Sequence, residues 1–217
     1  MKAKITEIIK ETDRISTFRL QPEAEFKYLP GQWMFVTIPQ PSTLSPQKHH
    51  FTISSSPTED FLQFTTMFRE ESGYKKALWL KKAGDELEIN GPFGGFVLDE
   101  KDTTPRLFIA GGIGITPFRS MIKHWRDKKL TLDIKLLYSV KNVTEAAFGD
   151  ELKDFIIVES EKEGRLDEGK IKKYCPDWQD RSWWVCGPPA LVAVFMELGK
   201  KMGIAPEKLK SEDFTGY

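Results

Sequence analysis

The chain has 217 residues, 40% hydrophobic and 29% charged, with a formal net charge of zero. That length holds one large or two ordinary domains, and the charge balance offers no bulk attraction for nucleic acid or a membrane surface. No apolar run approaches the ~20 residues of a membrane span, and Met1-Lys2-Ala3-Lys4-Ile5-Thr6-Glu7 lacks the apolar core of a secretion signal, so a cytoplasmic location is expected. Only two cysteines are present, Cys175 and Cys186. They are too few for the four thiolates of an iron–sulfur cluster or for a disulfide framework. No metal site is expected, and electron chemistry would need an organic cofactor or a partner.

Up to about residue 100 the pattern is β. Lys4 to Lys10 and Arg14 to Leu20 alternate around a Thr12-Asp13 turn. Tyr28 to Gln32 is a second turn, Trp33 to Ile38 is a strand stopped by Pro39, and Pro41 to Lys48 reads as a polar loop. His50 to Ser54, Leu62 to Phe68 and Glu86 to Asn90 are further strands, with one helix over Tyr74 to Leu80. Six short strands predict a closed antiparallel β-barrel, which leaves no exposed edge. Lys101-Asp102-Thr103-Thr104-Pro105 is a polar linker, so the domains are expected to be 1–102 and 103–217.

Beyond the linker the rhythm is strand and helix in alternation. Strands are expected over Arg106–Ala110, Leu132–Val140, Phe155–Val158 and Ser182–Cys186, and helices over Pro117–Asp127, Thr144–Leu152, Glu168–Tyr174 and Pro189–Met202. This alternation predicts an α/β domain with a parallel sheet covered by helices.

Several stretches carry chemistry. Ala110-Gly111-Gly112-Ile113-Gly114-Ile115-Thr116-Pro117-Phe118 joins a strand to a helix. Its glycines let backbone approach a pyrophosphate, the free N–H groups of the first turn face it, and Pro117 costs nothing at a first helical position. The same pattern also serves as a tight turn without a ligand. His49-His50-Phe51-Thr52-Ile53-Ser54 sets a ring beside a hydroxyl at a strand end, where Phe51 could stack on a flat ligand and Thr52 bond its edge; it also reads as a barrel strand with a serine-rich turn. Ser72 is an N-cap for a helix carrying Gly73, Tyr74 and Lys75, either an anion site or a capped surface helix. Gly91-Pro92-Phe93-Gly94-Gly95-Phe96 permits close approach to a flat group or simply closes the barrel. Cys186 falls at the C-terminal end of a parallel strand, the edge where open α/β sheets bind ligands, though taken alone it reads first as a buried structural cysteine. The tail, Ser211 to Tyr217, holds two aromatics that could cover a cofactor or fray.

In this order, and over nearly the whole chain, these stretches resemble the ferredoxin–NADP reductase family of flavoenzymes. The resemblance implies a barrel that holds FAD, with FMN as the lesser option, and a five-stranded parallel domain that holds NADPH or NADH. It implies that Phe51 stacks on the isoalloxazine, Thr52 bonds its N5, and His49 takes the place of the phosphate-binding arginine. Protonation of His49 should then tighten flavin binding below the imidazole range near ~6.5. Ile53, with Thr66 and Phe68 on the strand before the helix, joins the expected cofactor contacts, as do Ser72, Gly73, Tyr74 and Lys75 at the pyrophosphate. Gly111, Gly112, Gly114, Thr116 and Pro117 match the family's A-G-G-x-G-I-T-P turn, Thr116 lying between flavin and nicotinamide. Cys186, Gly187 and Pro188 match C-G-P-P beside the nicotinamide C4. Glu212 and Phe214 match the C-terminal acid and aromatic, with Tyr217 a competitor for the role of cover. Thr52, Cys186 and Glu212 are the expected catalytic residues.

Strand Leu132–Val140 ends without an acid, so Ser139, Lys141 and Arg165 could receive a 2′-phosphate, with Glu145 as a neighbour able to neutralise Lys141. The expected function is electron transfer from NAD(P)H through FAD. No cluster domain is joined to this chain, so the expected acceptor is a separate ferredoxin or flavodoxin. The other readings are an NAD(P)H:flavin or ferric reductase with a diffusible acceptor, and a non-catalytic flavin-binding subunit of a larger assembly.

Overall fold

The computed structural model describes residues 1–39 and 47–214. Most of the loop expected over Pro41 to Lys48, and Tyr217, lie outside the described residues; Gln47 and Lys48 already belong to a strand.

The first half forms six strands: β1 (Lys2–Lys10), β2 (Ile15–Pro22), β3 (Trp33–Ile38), β4 (Gln47–Thr52), β5 (Leu62–Met67) and β6 (Glu86–Phe93), with helix α1 (Gly73–Trp79) between the last two. The order is β4-β3-β6-β1-β2-β5, antiparallel at every pair. The ends meet through a bridge between Ile53 and Phe64, reinforced by the Ser54 amide donating to the Gln63 carbonyl at 2.9 Å. This closes the barrel. Alternate residues point inward, as Met34, Val36 and Ile38 do on β3. The first hairpin is fixed by Thr12, whose Oγ1 accepts from the amides of Arg14 and Ile15 at 3.2 and 3.0 Å. Tyr74 pins α1 to the barrel, its hydroxyl donating to the Val36 carbonyl at 3.0 Å.

The second half holds β7 (Arg106–Gly111), α2 (Thr116–Asp127), β8 (Ile134–Val140), β9 (Ile156–Glu159), α3 (Ser160–Glu163), α4 (Glu168–Tyr174), β10 (Ser182–Gly187), α5 (Pro189–Lys201) and β11 (Leu209–Asp213). Its sheet is parallel, ordered β11-β10-β7-β8-β9. One of its two packed faces, around Phe108, Phe118 and Trp184, also takes in Ile15, Phe96 and Leu98 from the first half. The barrel and the α/β unit thus share apolar core.

The helix expected over Thr144–Leu152 does not form. Only a single 3-10 turn, Val143–Glu145, is present. Phe148 has φ +59, and the amides that a helix would use are taken elsewhere. Ala147 donates to the Tyr138 hydroxyl at 3.2 Å, and Phe148 to the Glu11 carboxylate at 3.1 Å.

Candidate active site

β4 and β11 bring the site together from opposite halves of the molecule. A cavity of about 200 Å³ is lined by Trp33, His50, Thr52, Glu212, Asp213 and Phe214. Thr52 ends β4, pairs with Trp33 across β3, and is buried. Glu212 and Asp213 arrive on β11, registered against Cys186 and Gly187 of β10. Among the described residues, Thr52 Oγ1 and Glu212 Oε2 are buried without a hydrogen-bond partner. A buried oxygen with no partner is costly, and two of them on residues that line one cavity fit a polar-edged flat ligand such as a flavin ring.

Burial, with Asp213 adding like charge, raises the Glu212 carboxyl to about 7. It therefore holds its proton through the weakly acid range and releases it near neutrality. The Cys186 thiol is fully buried, and burial followed by Glu212 and Asp213 pushes it well up. Cys186 is thus a neutral thiol, a weak donor and no nucleophile.

The expected stacking of Phe51 is not available in this arrangement. Successive strand residues face opposite sides, so Phe51 turns away from Thr52 and into the barrel. It is 1% exposed, stacked on Phe64 at 4.8 Å, with the Lys75 ammonium 4.5 Å from its ring centre. The rings that share the cavity with Thr52 are Trp33 and His50, 5.5 Å apart. The same two-residue alternation, counted back from Thr52, would have singled out His50 in the sequence. The Ile53 side chain is also core, and Phe68 packs on Trp79 at 5.2 Å, away from the cavity.

His49 is half-buried, its ring 4.3 Å from that of Tyr74. Burial, then the charges of Lys75 and His50, lower its pKa. Lys75 is buried under α1, donates from Nζ to Thr66 Oγ1, and is brought down to about 7 by burial. Ser72 caps α1, accepting the Lys75 amide at 3.2 Å. His49, Thr66, Ser72, Gly73, Tyr74 and Lys75 are therefore one neighbourhood.

The glycine turn is built by close approach. A Cβ on Gly114 would lie 2.3 Å from the Cys186 carbonyl oxygen, and one on Gly111 2.4 Å from Leu191. Gly112 has φ +52, a conformation glycine adopts freely. Thr116 is buried and donates to the Ile113 carbonyl at 3.1 Å, and Pro117 sits in the first turn of α2. At the C-terminal ends of the strands lies a cleft of about 420 Å³ lined by Gly111, Gly112, Ser139, Lys141, Arg165 and Pro188 among others. This is the edge where parallel sheets take ligands. The acid beside Lys141 is Glu161, at 3.2 Å, rather than Glu145. Among the described residues no group of His, Cys, Asp and Glu is placed to hold a metal, and no helix is long and apolar enough to cross a membrane.

Residues 2–116 match an FAD-binding domain family and residues 108–196 an oxidoreductase NAD-binding domain family. Flavohemoprotein A of Dictyostelium discoideum is 26% identical over 95% of this chain, and the propane 2-monooxygenase reductase component of Rhodococcus jostii 24% over 99%. The chain spans 58% of the first and 64% of the second. A ferredoxin NADP+ reductase from Neisseria gonorrhoeae with bound FAD and NADP shares the fold, with TM-score 0.84 at 16% identity over 98% of both chains. So does the FAD/NAD binding domain of a Vibrio cholerae nitric oxide dioxygenase, with TM-score 0.83 at 17% identity over 98% of both. The chain belongs to the ferredoxin–NADP reductase-like family of flavoprotein oxidoreductases, an FAD-binding domain joined to an NAD-binding domain.

Proposed function

We propose that this chain draws a hydride from NADPH at bound FAD and delivers the electrons to a separate carrier protein of the ferredoxin or flavodoxin type. The flavin domain is assigned to 1–102 and the nicotinamide domain to 103–217. The observation that carries this reading is the pair of unpartnered oxygens, Thr52 Oγ1 and Glu212 Oε2, which enter one cavity from different domains.

Bound there, FAD supplies a two-electron acceptor that releases electrons singly. The Thr52 hydroxyl would hold the ring edge by a hydrogen bond. Glu212 keeps a proton at Oε2 under weakly acid conditions and carries negative charge above neutrality. Cys186, a fully buried neutral thiol in register with Glu212, would not compete for the hydride. Gly111 and Gly114 remove the side chains that would block backbone approach there. Phe214, buried at the cavity wall, excludes water from it. His49, Ser72 and Lys75 supply the cation and donors for the cofactor's phosphates.

Lys141 and Arg165, sharing the second cleft with Ser139, favour a 2′-phosphate and therefore NADPH. The carrier assignment draws support from relatives named as reductase components or subunits of oxygenases. Its test is NADPH oxidation with purified ferredoxin or flavodoxin as sole acceptor under anaerobic conditions. Carrier reduced in step with NADPH consumed is expected. Reduction of free flavin or ferric chelates but of neither carrier contradicts it and favours a diffusible acceptor.

A further inference from the structure

Helix α2 starts with Thr116, at the end of the glycine turn. The segment 54–59 begins two residues after Thr52, on the barrel side. The two are bonded together along their length. Arg119 is the principal tie, and its side chain is 3% exposed. It spends all five of its N–H groups. Nη1 donates to the Ser54 carbonyl at 3.1 Å and to Glu59, and Nη2 to Glu59 at 2.9 Å. Nε and Nη2 reach Glu151 at 2.9 and 3.0 Å. Glu59 also accepts the Ser56 amide at 2.7 Å, so the same carboxylate shapes the turn that follows Thr52. Further along α2, Ser120 donates to the Ser55 carbonyl at 2.6 Å, and Asp127 accepts from Thr58 at 2.5 Å. His124 stands 3.4 Å from the Ser56 hydroxyl.

These contacts join the segment that follows Thr52 to the helix that carries Thr116. None of the clasp residues lines that cavity. We infer that Arg119, through Glu59 and the Ser54 carbonyl, is a positioning residue for hydride transfer: it fixes the distance between Thr52 on the barrel and the nicotinamide-side residues Thr116 and Cys186. This rests on the flavin reading above. A guanidinium suits the task because its planar fork supplies five bonds, two to each carboxylate and one to the carbonyl, where an ammonium has three donors and no fork. Hydride transfer is steeply sensitive to a misplacement of about 1 Å, so a loosened clasp slows the chemical step before it weakens binding.

The test compares wild type with Arg119→Lys and Ser120→Ala, both of which keep the segment polar, and with Arg119→Met. Three measurements are made: amide hydrogen exchange over residues 53–59 in the FAD-free chain, the FAD dissociation constant, and anaerobic stopped-flow reduction by NADPH, which gives a limiting rate and an apparent dissociation constant. For Arg119→Lys, faster exchange over 53–59, both dissociation constants within about twofold of wild type, and a limiting rate down about tenfold to a hundredfold are expected. Ser120→Ala shows the same pattern at smaller amplitude. Failure of Arg119→Met alone to fold supports a tie between the halves but leaves the decision to Arg119→Lys. A folded, FAD-loaded Arg119→Lys with an unchanged limiting rate overturns the positioning role while leaving the flavin reading intact. Unchanged exchange over 53–59 also overturns it. A wild type that neither nicotinamide reduces overturns the flavin reading and the positioning role with it.

Discussion

At the scale of single residues, the chemistry rests on a few groups whose surroundings set their state. Thr52 is the sharpest. Its hydroxyl is buried and unpartnered, so Thr52→Val would remove the proposed hydrogen bond to the flavin edge without creating a void. The variant should bind FAD as wild type does and be reduced about tenfold to a thousandfold more slowly; stopped-flow reduction at the wild-type rate excludes the role. The phosphate end should respond to pH. In the FAD-free protein Lys75 titrates at about 7 because burial favours its neutral form, and binding a phosphate favours the ammonium. Affinity for FAD should therefore be highest below 7 and fall as pH rises through it, by up to about one decade per pH unit for one proton taken up. His49, lowered by burial and by Lys75, carries charge only further toward acid. The dependence expected from His49 alone thus moves mainly to Lys75. FAD titrations from pH 5.5 to 9 check this, and Lys75→Met should flatten the curve. Much of this site was legible in the sequence. Cys186 lies buried in register with Glu212, and Thr52 and Glu212 line one cavity. Phe51 does not, because a ring and a hydroxyl adjacent in a strand face opposite sides, and only a partner strand decides which side is the cavity. The roles of Trp33 and His50 needed that register.

At the scale of elements, two loops against two strand ends make the nucleotide edge. The turn from β7 to α2 lies against the end of β10, with no room for a Cβ at Gly114. Gly114→Ala should force the turn off the Cys186 carbonyl, lower stability by about 1–3 kcal/mol, and slow reduction by NADPH. A melting temperature equal to wild type would show that the turn has slack. Lys141, just past β8, and Arg165, after α3, flank the cleft with Ser139. The Lys141–Glu161 pair is exposed, so its loss costs little stability. Lys141→Ala should cut kcat/KM for NADPH by an amount equivalent to about 1–3 kcal/mol and leave NADH nearly untouched. Equal losses for both nicotinamides contradict a 2′-phosphate contact. Strand and helix periodicity located nearly all the elements, with Trp33–Ile38 and Glu168–Tyr174 matched at both ends. The helix expected over Thr144–Leu152 failed because Glu11 and Tyr138, distant in sequence, capture its amides. β11 was not read as a strand because Lys210, Ser211, Glu212 and Asp213 are polar and only Leu209 packs in the core. Its place comes from pairing with β10.

At the scale of the whole molecule, a barrel and a parallel sheet are held as one body by the shared core around Phe96 and Phe118 and by the polar clasp along α2. Each half offers a ligand edge, and the cavity with Thr52 and Glu212 lies where the two edges meet. On the proposed function, a flavin in that cavity would receive its hydride from a nicotinamide in the cleft at the strand ends, so neither domain alone would serve. The most direct measurement is the visible spectrum of FAD-reconstituted protein during anaerobic titration with NADPH. Stoichiometric binding of FAD, then bleaching of its absorbance by one equivalent of NADPH, is the expected result. Protein that takes up no FAD, or a bound flavin that stays oxidised in excess NADPH and NADH, would contradict hydride transfer at this site.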